Sequence, residues 1–173
     1  MIDSYTISMS SRPIEVFRFW RDDGWLDLNP PYQRGDVWGE DRRRNLIKSH
    51  ILRVPIPSII LNDRFSANFK GSERERFQYS VVDGKQRITT FLMFLDSELP
   101  IPAKWIYGED SDGTVLFYEL PIEDRRRIKK LPVSVCEGKL RSVKEENEIF
   151  DLINFGGVAQ GKTDLNNSAN EAK

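Results

Sequence analysis

Cysteine occurs once in this chain, as Cys136, and histidine once, as His50, among 173 residues. A single cysteine excludes an internal disulfide framework and a cysteine-rich zinc site, and it fits a reducing compartment. Neither sign of charge dominates: 26 Lys and Arg face 27 Asp and Glu, for a net charge of -1 and a pI near 6.0. No overall field therefore draws the protein onto nucleic acid, and any DNA binding must come from local clusters. There is no stretch of about 18 consecutive apolar residues, and no basic segment leads into an apolar run at the N-terminus. The expectation is a soluble, cytoplasmic protein with no membrane partner. The Gly-x-x-x-x-Gly-Lys-[Ser/Thr] loop of P-loop nucleotide-binding proteins is absent, as are internal repeats and low-complexity linkers.

What is present reads as one folded domain. A hydrophobic share of 39% with 11% aromatics suits a buried core, and 31% charged residues suit a solvated surface. The domain is placed at residues 1–161, with 162–173 expected as a disordered tail because that segment offers little to bury. Ser11-Arg12-Pro13 is read as the cap of a short helix whose apolar side is Ile14, Val16, Phe17 and Trp20 and which ends near Asp23-Gly24. Leu46, Ile47, His50 and Ile51 fall on one side of a helix over 41–52, with Arg42, Arg43, Arg44 and Lys48 mostly on the other. A strand is expected at 58–62, a hairpin loop at 67–76 and a second strand at 77–82. Ile88, Phe91, Leu92 and Leu95 then follow helical spacing over 85–96. Segments 105–107 and 115–118 are candidate strands or loops, 122–130 a charged helix and 133–136 a strand. Ser142-Val143-Lys144-Glu145 has the capping-box pattern for a helix over 142–155 with Ile149, Phe150 and Ile153 inward. The fold class expected is α+β, a small mixed sheet flanked by helices.

Val82-Asp83-Gly84-Lys85-Gln86-Arg87 sits at the junction of a strand and a helix, where unpaired N–H groups and the helix dipole attract anions. Gly84 lets the backbone approach a phosphate, while Lys85 and Arg87 supply charge. Asp83 can cap the helix, orient Arg87 or hold a divalent cation. The plainer alternative is a simple Asp-Gly turn with a solvated Lys-Gln-Arg face. Pro31-Tyr32-Gln33-Arg34, followed by Val37-Trp38, places an aromatic, an amide and a guanidinium on one stiff stretch, which suits a planar anionic ligand such as a nucleotide. A surface turn anchored by Tyr32 and Trp38 is the alternative there. His50, on an inner helix side, is read as a packing residue, and Cys136 as a buried small apolar one. Arg42-Arg43-Arg44 and Arg125-Arg126-Arg127 with Lys129-Lys130 can meet DNA phosphates, or simply form solvated faces.

Three blocks in order, Asn29-Pro30-Pro31-Tyr32-Gln33-Arg34 with Trp38, Val82-Asp83-Gly84-Lys85-Gln86-Arg87-Ile88-Thr89-Thr90, and Ile149-Phe150-Asp151-Leu152-Ile153-Asn154-Phe155-Gly156-Gly157, resemble the N-terminal domain of GmrSD-type modification-dependent restriction enzymes. The resemblance spans roughly residues 10–160. It implies a ParB/sulfiredoxin-like fold and a DGQQR motif that binds and hydrolyses a nucleoside triphosphate, and the enzymatic reading adds Mg²⁺ bound with that nucleotide. It also implies a DNA or nuclease partner in phage defence. Carried over position by position, Asp83, Gln86 and Arg87 become the catalytic candidates. Tyr32, Gln33, Arg34, Asp83, Gly84, Lys85, Gln86, Arg87 and Asn154 become the nucleotide-binding set, and no resident metal ligands are expected. Lys85 departs from the commoner Gln but keeps a cation at the turn. Sulfiredoxin chemistry would need a cysteine there, and Cys136 lies far along the chain. HNH-like nucleases need further histidines, so the DNA-cutting half is expected to be absent from this chain. The alternative function is a non-catalytic DNA- or protein-binding module that regulates a restriction system or acts as its decoy.

Overall fold

A computed structural model describes residues 5–33, 35–65, 69–70 and 77–155. Chain order is β1 (Ile7–Pro13), α1 (Glu15–Asp22), β2 (Leu26–Asp27), α2 (Glu40–Ile51), β3 (Ile59–Asp63), β4 (Tyr79–Asp83), α3 (Lys85–Leu95), β5 (Ile101–Pro102), α4 (Lys104–Tyr107), β6 (Thr114–Val115), a 3₁₀ turn (Phe117–Glu119), α5 (Ile122–Lys129), β7 (Pro132–Gly138) and α6 (Val143–Phe155). The fold is α+β. Five strands form a mixed sheet in the order β1-β7-β3-β4-β2, while β5 and β6 make a separate two-stranded pair. The β3–β4 and β1–β7 pairs are antiparallel, and β3–β7 and β2–β4 are parallel.

Both faces of the central strands are covered, and alternation decides which residue serves which face. Ile59, Leu61, Val81, Val133 and Val135 join the main core with Ile14, just before α1, and with Phe17, Ile47, Ile88 and Phe91 from the first three helices. Val82, with Ile60 against it, points the other way to meet Leu140, Ile149 and Phe150 under α6. The uninterrupted apolar run Ile59-Ile60-Leu61 follows from this arrangement, because a strand buried on both faces has no polar side to show. Each large aliphatic or aromatic group so buried contributes roughly 1.5–3 kcal/mol. Among the described residues no helix is long and apolar enough to cross a membrane.

Several sequence expectations need correction. Ser11-Arg12-Pro13 does not cap α1: it ends β1, and α1 starts after Ile14 with no side-chain cap. β1 escapes pattern reading because it is an edge strand whose side chains are mostly solvated, Met9 being 78% exposed, so only its backbone pairing with β7 defines it. Residues 105–107 are helical rather than extended, and 117–119 form a 3₁₀ turn. Ile153 is 41% exposed, so the inward residues of α6 are Ile149 and Phe150. Ser142 does cap α6 by accepting from the Glu145 amide at 3.2 Å, but Glu145 reaches back to the Arg141 amide at 2.8 Å instead of closing the box on Ser142. Most of the expected 67–76 hairpin, Gly156-Gly157 and the 162–173 tail lie outside the described residues.

Arg43 is the largest departure on α2. Read from the sequence as outer, it is 4% exposed. Its Nε donates to the Trp38 carbonyl at 3.2 Å, Nη1 donates to Thr90 Oγ1 at 3.0 Å and Nη2 pairs with Asp36. Thr90 Oγ1 in turn donates to the Gln86 carbonyl at 2.7 Å. A guanidinium satisfied on three sides tolerates burial. Here it fastens the 36–38 loop to the first turns of α3.

His50 is the core residue expected of it, 5% exposed and 4.9 Å from the Phe91 ring centroid. Burial pushes its imidazole down from 6.5 to about 4, with a hydrogen bond to the Leu131 backbone opposing. The unfolded chain thus takes up a proton near pH 6.5 while the folded chain resists until about pH 4. The stability that His50 contributes is complete above pH 6.5 and is lost as pH falls toward 4. Urea unfolding of wild type and His50→Phe across that window should show the wild type losing roughly 2–3 kcal/mol more than the variant. Parallel pH profiles would contradict the assignment.

Candidate functional site

β4 stops at Asp83, Gly84 turns the chain and α3 begins at Lys85. Gly84 takes φ +97°, which an L side chain rarely adopts, and an added Cβ would lie 3.1 Å from both Arg87 Nη2 and Ile59 Cγ1. Glycine is therefore required by conformation and by space. Gly84→Ala is expected to cost about 1–3 kcal/mol in denaturant unfolding; an unchanged midpoint would show that the turn relaxes freely. The N-terminus of α3 carries no side-chain cap, and its first helical bond runs from the Ile88 amide to the Gly84 carbonyl at 2.9 Å. Asp83 does not cap it. Of the roles open from sequence, Asp83 takes the orienting one: its Oδ2 accepts from Arg87 Nη2 at 2.7 Å, and the same nitrogen donates to the Ser58 carbonyl at 3.2 Å. Arg87 Nε is buried with no partner.

This turn forms one wall of a cavity of about 360 Å³. Gln33, Asp83, Gly84, Lys85, Gln86, Arg87 and Asn154 all line it, so residues far apart in sequence come together. Val37, Trp38 and Phe150 add apolar surface, and Arg42 lies over the Trp38 ring at 4.3 Å. The volume and the mixture of aromatic and cationic groups suit a small planar anion.

Each polar member is held by the fold. Gln33 Nε2 donates to the Val81 and Val82 carbonyls at 2.9 and 2.8 Å, pinning the 30–33 turn to β4. Gln86 clamps the neighbouring loop, its Nε2 donating to the Gly35 carbonyl at 3.1 Å and its Oε1 accepting from the Val37 amide at 3.4 Å. Lys85 Nζ donates to Asn29 Oδ1 at 2.8 Å. Asn154 reaches the cavity, but its amide nitrogen donates to the Phe150 carbonyl at 2.8 Å. Arg34 lies outside the described residues.

Tyr32 requires a correction. Read from the sequence as a ligand contact, it does not line the cavity. It packs against Phe150 at 5.5 Å, and its hydroxyl meets Ser80 Oγ and Glu146 Oε2, each at 3.1 Å. Burial, reinforced by the Glu146 charge, raises its pKa far above that of a free phenol. An apolar ring with one polar tip fits such a place behind the site wall.

Behind Tyr32 lies a buried ionic cluster. Glu146 and Arg64 have fully buried side chains, and Asp27 is nearly so. Arg64 donates to both Glu146 oxygens at 2.8 Å and to Asp27 Oδ2 at 3.2 Å. Asn62 Nδ2 at 2.8 Å and Ser80 Oγ at 3.2 Å complete the shell around Glu146. Burial alone would lower the Arg64 pKa, but Glu146 and Asp27 outweigh it and raise it. Sequence reading missed all five residues because their partners are separated by up to 84 positions. The one local signal was Asn62 ending an apolar strand.

A protein-family model described as GmrSD restriction endonuclease, N-terminal domain, matches residues 19–133. No curated protein and no solved structure matches the chain. The matched span takes in the Tyr32 turn, the loop fastened by Arg43 and the whole Asp83-to-Arg87 corner, and leaves α6 outside. With well over half of its length so matched, the chain belongs to the family of GmrSD restriction endonuclease N-terminal domains.

Proposed function

We propose that the cavity at the start of α3 binds a nucleoside triphosphate and that its hydrolysis switches a DNA-acting partner, such as a separate nuclease or restriction-system protein, in a cytoplasmic defence system. The fold is read, on the same footing, as ParB/sulfiredoxin-like. The observation that carries the proposal is the convergence of Gln33, the 83–87 corner and Asn154 on one cavity at an uncapped helix N-terminus. The phosphates sit against the first amides of α3 and the Arg87 guanidinium, whose buried Nε needs an acceptor. The base lies along Val37 and Trp38.

Asp83 is the one carboxylate among the described lining residues, and no group of three metal-ligating side chains occurs among the described residues. The donor set therefore fits a Mg²⁺ carried in on the phosphates and met by at most one protein carboxylate. When bound, such an ion neutralises phosphate charge. The chain's own part is to position: Arg87 and Lys85 meet the phosphates, Gln86 holds the loop beside them and Asp83 orients Arg87.

A second reading, a binding module without turnover, is favoured by one observation. Both ends of the Gln86 amide and the Asp83 carboxylate are engaged with the protein itself. Phosphate release measured with and without DNA separates the two. The enzymatic reading expects turnover that Asp83→Ala reduces by at least about tenfold. Tight nucleotide or DNA binding with no phosphate release selects the module.

A further inference from the structure

A second cavity, of about 500 Å³, opens between the end of α2 and the start of β7. His50 lines it at 5% exposure, and its Nε2 is buried without a hydrogen-bond partner. A buried imidazole nitrogen without a partner lacks a hydrogen bond that it can make as donor or as acceptor. Arg53, Arg127 and Lys130 also line the cavity, no carboxylate does, and Ile56 and Val133 supply apolar wall. Arg127 is paired with Asp124 at 2.8 Å, while Arg53 and Lys130 are exposed. Arg53 holds φ +58° just past α2, its amide donating to the His50 carbonyl at 3.0 Å. Glycine is the usual residue at that helix-ending position, so Arg53 sits there against backbone preference.

We propose that this cavity is a ligand site for a small organic anion that carries its own hydroxyl group. The anionic group meets Arg53, Lys130 and Arg127, the carbon body lies on Ile56 and Val133, and the hydroxyl, able to donate or accept, meets His50 Nε2. The site is separate from the cavity at α3 and does not depend on nucleotide binding there.

Because the chain has one histidine, its imidazole nitrogen resonances are unambiguous probes. The full chain is titrated with 4-hydroxybenzoate and adenosine 5′-monophosphate as carboxylate and phosphate arms, and with benzoate and phenol as probes lacking the hydroxyl or the charge. The expected result is a saturable shift of Nε2 with at least one of the first two, which also identifies the head group, and binding at least about tenfold weaker for benzoate and phenol. Arg53→Gly should weaken that binding by about tenfold while leaving Tm equal or higher, since glycine suits the positive φ. Lys130→Ala, on an exposed side chain, provides an independent check. No shift with either anion, or unchanged binding in both variants, overturns the proposal.

Discussion

Alanine at Glu146 is expected to destabilise the domain by about 3–5 kcal/mol, the cost of leaving a buried charge without its partner. Removing that carboxylate strips Arg64 of two 2.8 Å bonds and leaves the hydroxyls of Tyr32 and Ser80 without their common acceptor. With total stabilities of roughly 5–15 kcal/mol for domains of this kind, much of the chain should unfold at moderate urea. The loss should also reach the cavity, because Glu146 anchors the helix that carries Phe150 and Asn154 into its wall. Paired replacement by Arg64→Met and Glu146→Leu should cost less than the sum of the single changes, since it removes both charges rather than orphaning one. Additive losses in urea unfolding would show that the two side chains do not act as a pair.

Alanine at Arg87 should leave the sheet standing and weaken nucleotide binding by roughly ten- to hundredfold, the worth of a charge-assisted hydrogen bond. Arg87 is only 13% exposed, so its charge is poorly screened, and it reaches the cavity beside Gly84. The change also frees Asp83, whose negative charge would then face the phosphates and add to the loss. Arg87→Lys keeps the charge but loses the planar guanidinium and its buried Nε donor, and should recover only part of the affinity. Equilibrium titration with a non-hydrolysable triphosphate reads all three proteins. Equal affinity in wild type and Arg87→Ala would remove Arg87 from the site.

What could be read from the sequence follows the range of the interaction concerned. The strand, glycine and helix at 79–95 were legible because Gly84 and the spacing of Ile88, Phe91, Leu92 and Leu95 are local signals. Gln33, the 83–87 corner and Asn154 could be brought together only through family resemblance. Their meeting depends on β4 running between β3 and β2 and on α6 crossing the opposite face, which no periodicity encodes. Arg43 and Tyr32 were misplaced for one reason. Each is a residue type usually found at the surface, and each is buried here by partners distant in sequence, Thr90 in the first case and Ser80 with Glu146 in the second. Glu146, next to another glutamate on a charged first turn, looks like a solvated helix start until Arg64 is placed beside it.

The central claim concerns the amides that open α3. The direct measurement is amide NMR of the full chain during titration with a non-hydrolysable nucleoside triphosphate. Saturable movement of the Lys85, Gln86 and Arg87 amides together with the Trp38 indole signal is the predicted result. Binding that leaves those four signals in place, or no binding at millimolar nucleotide, would contradict the account.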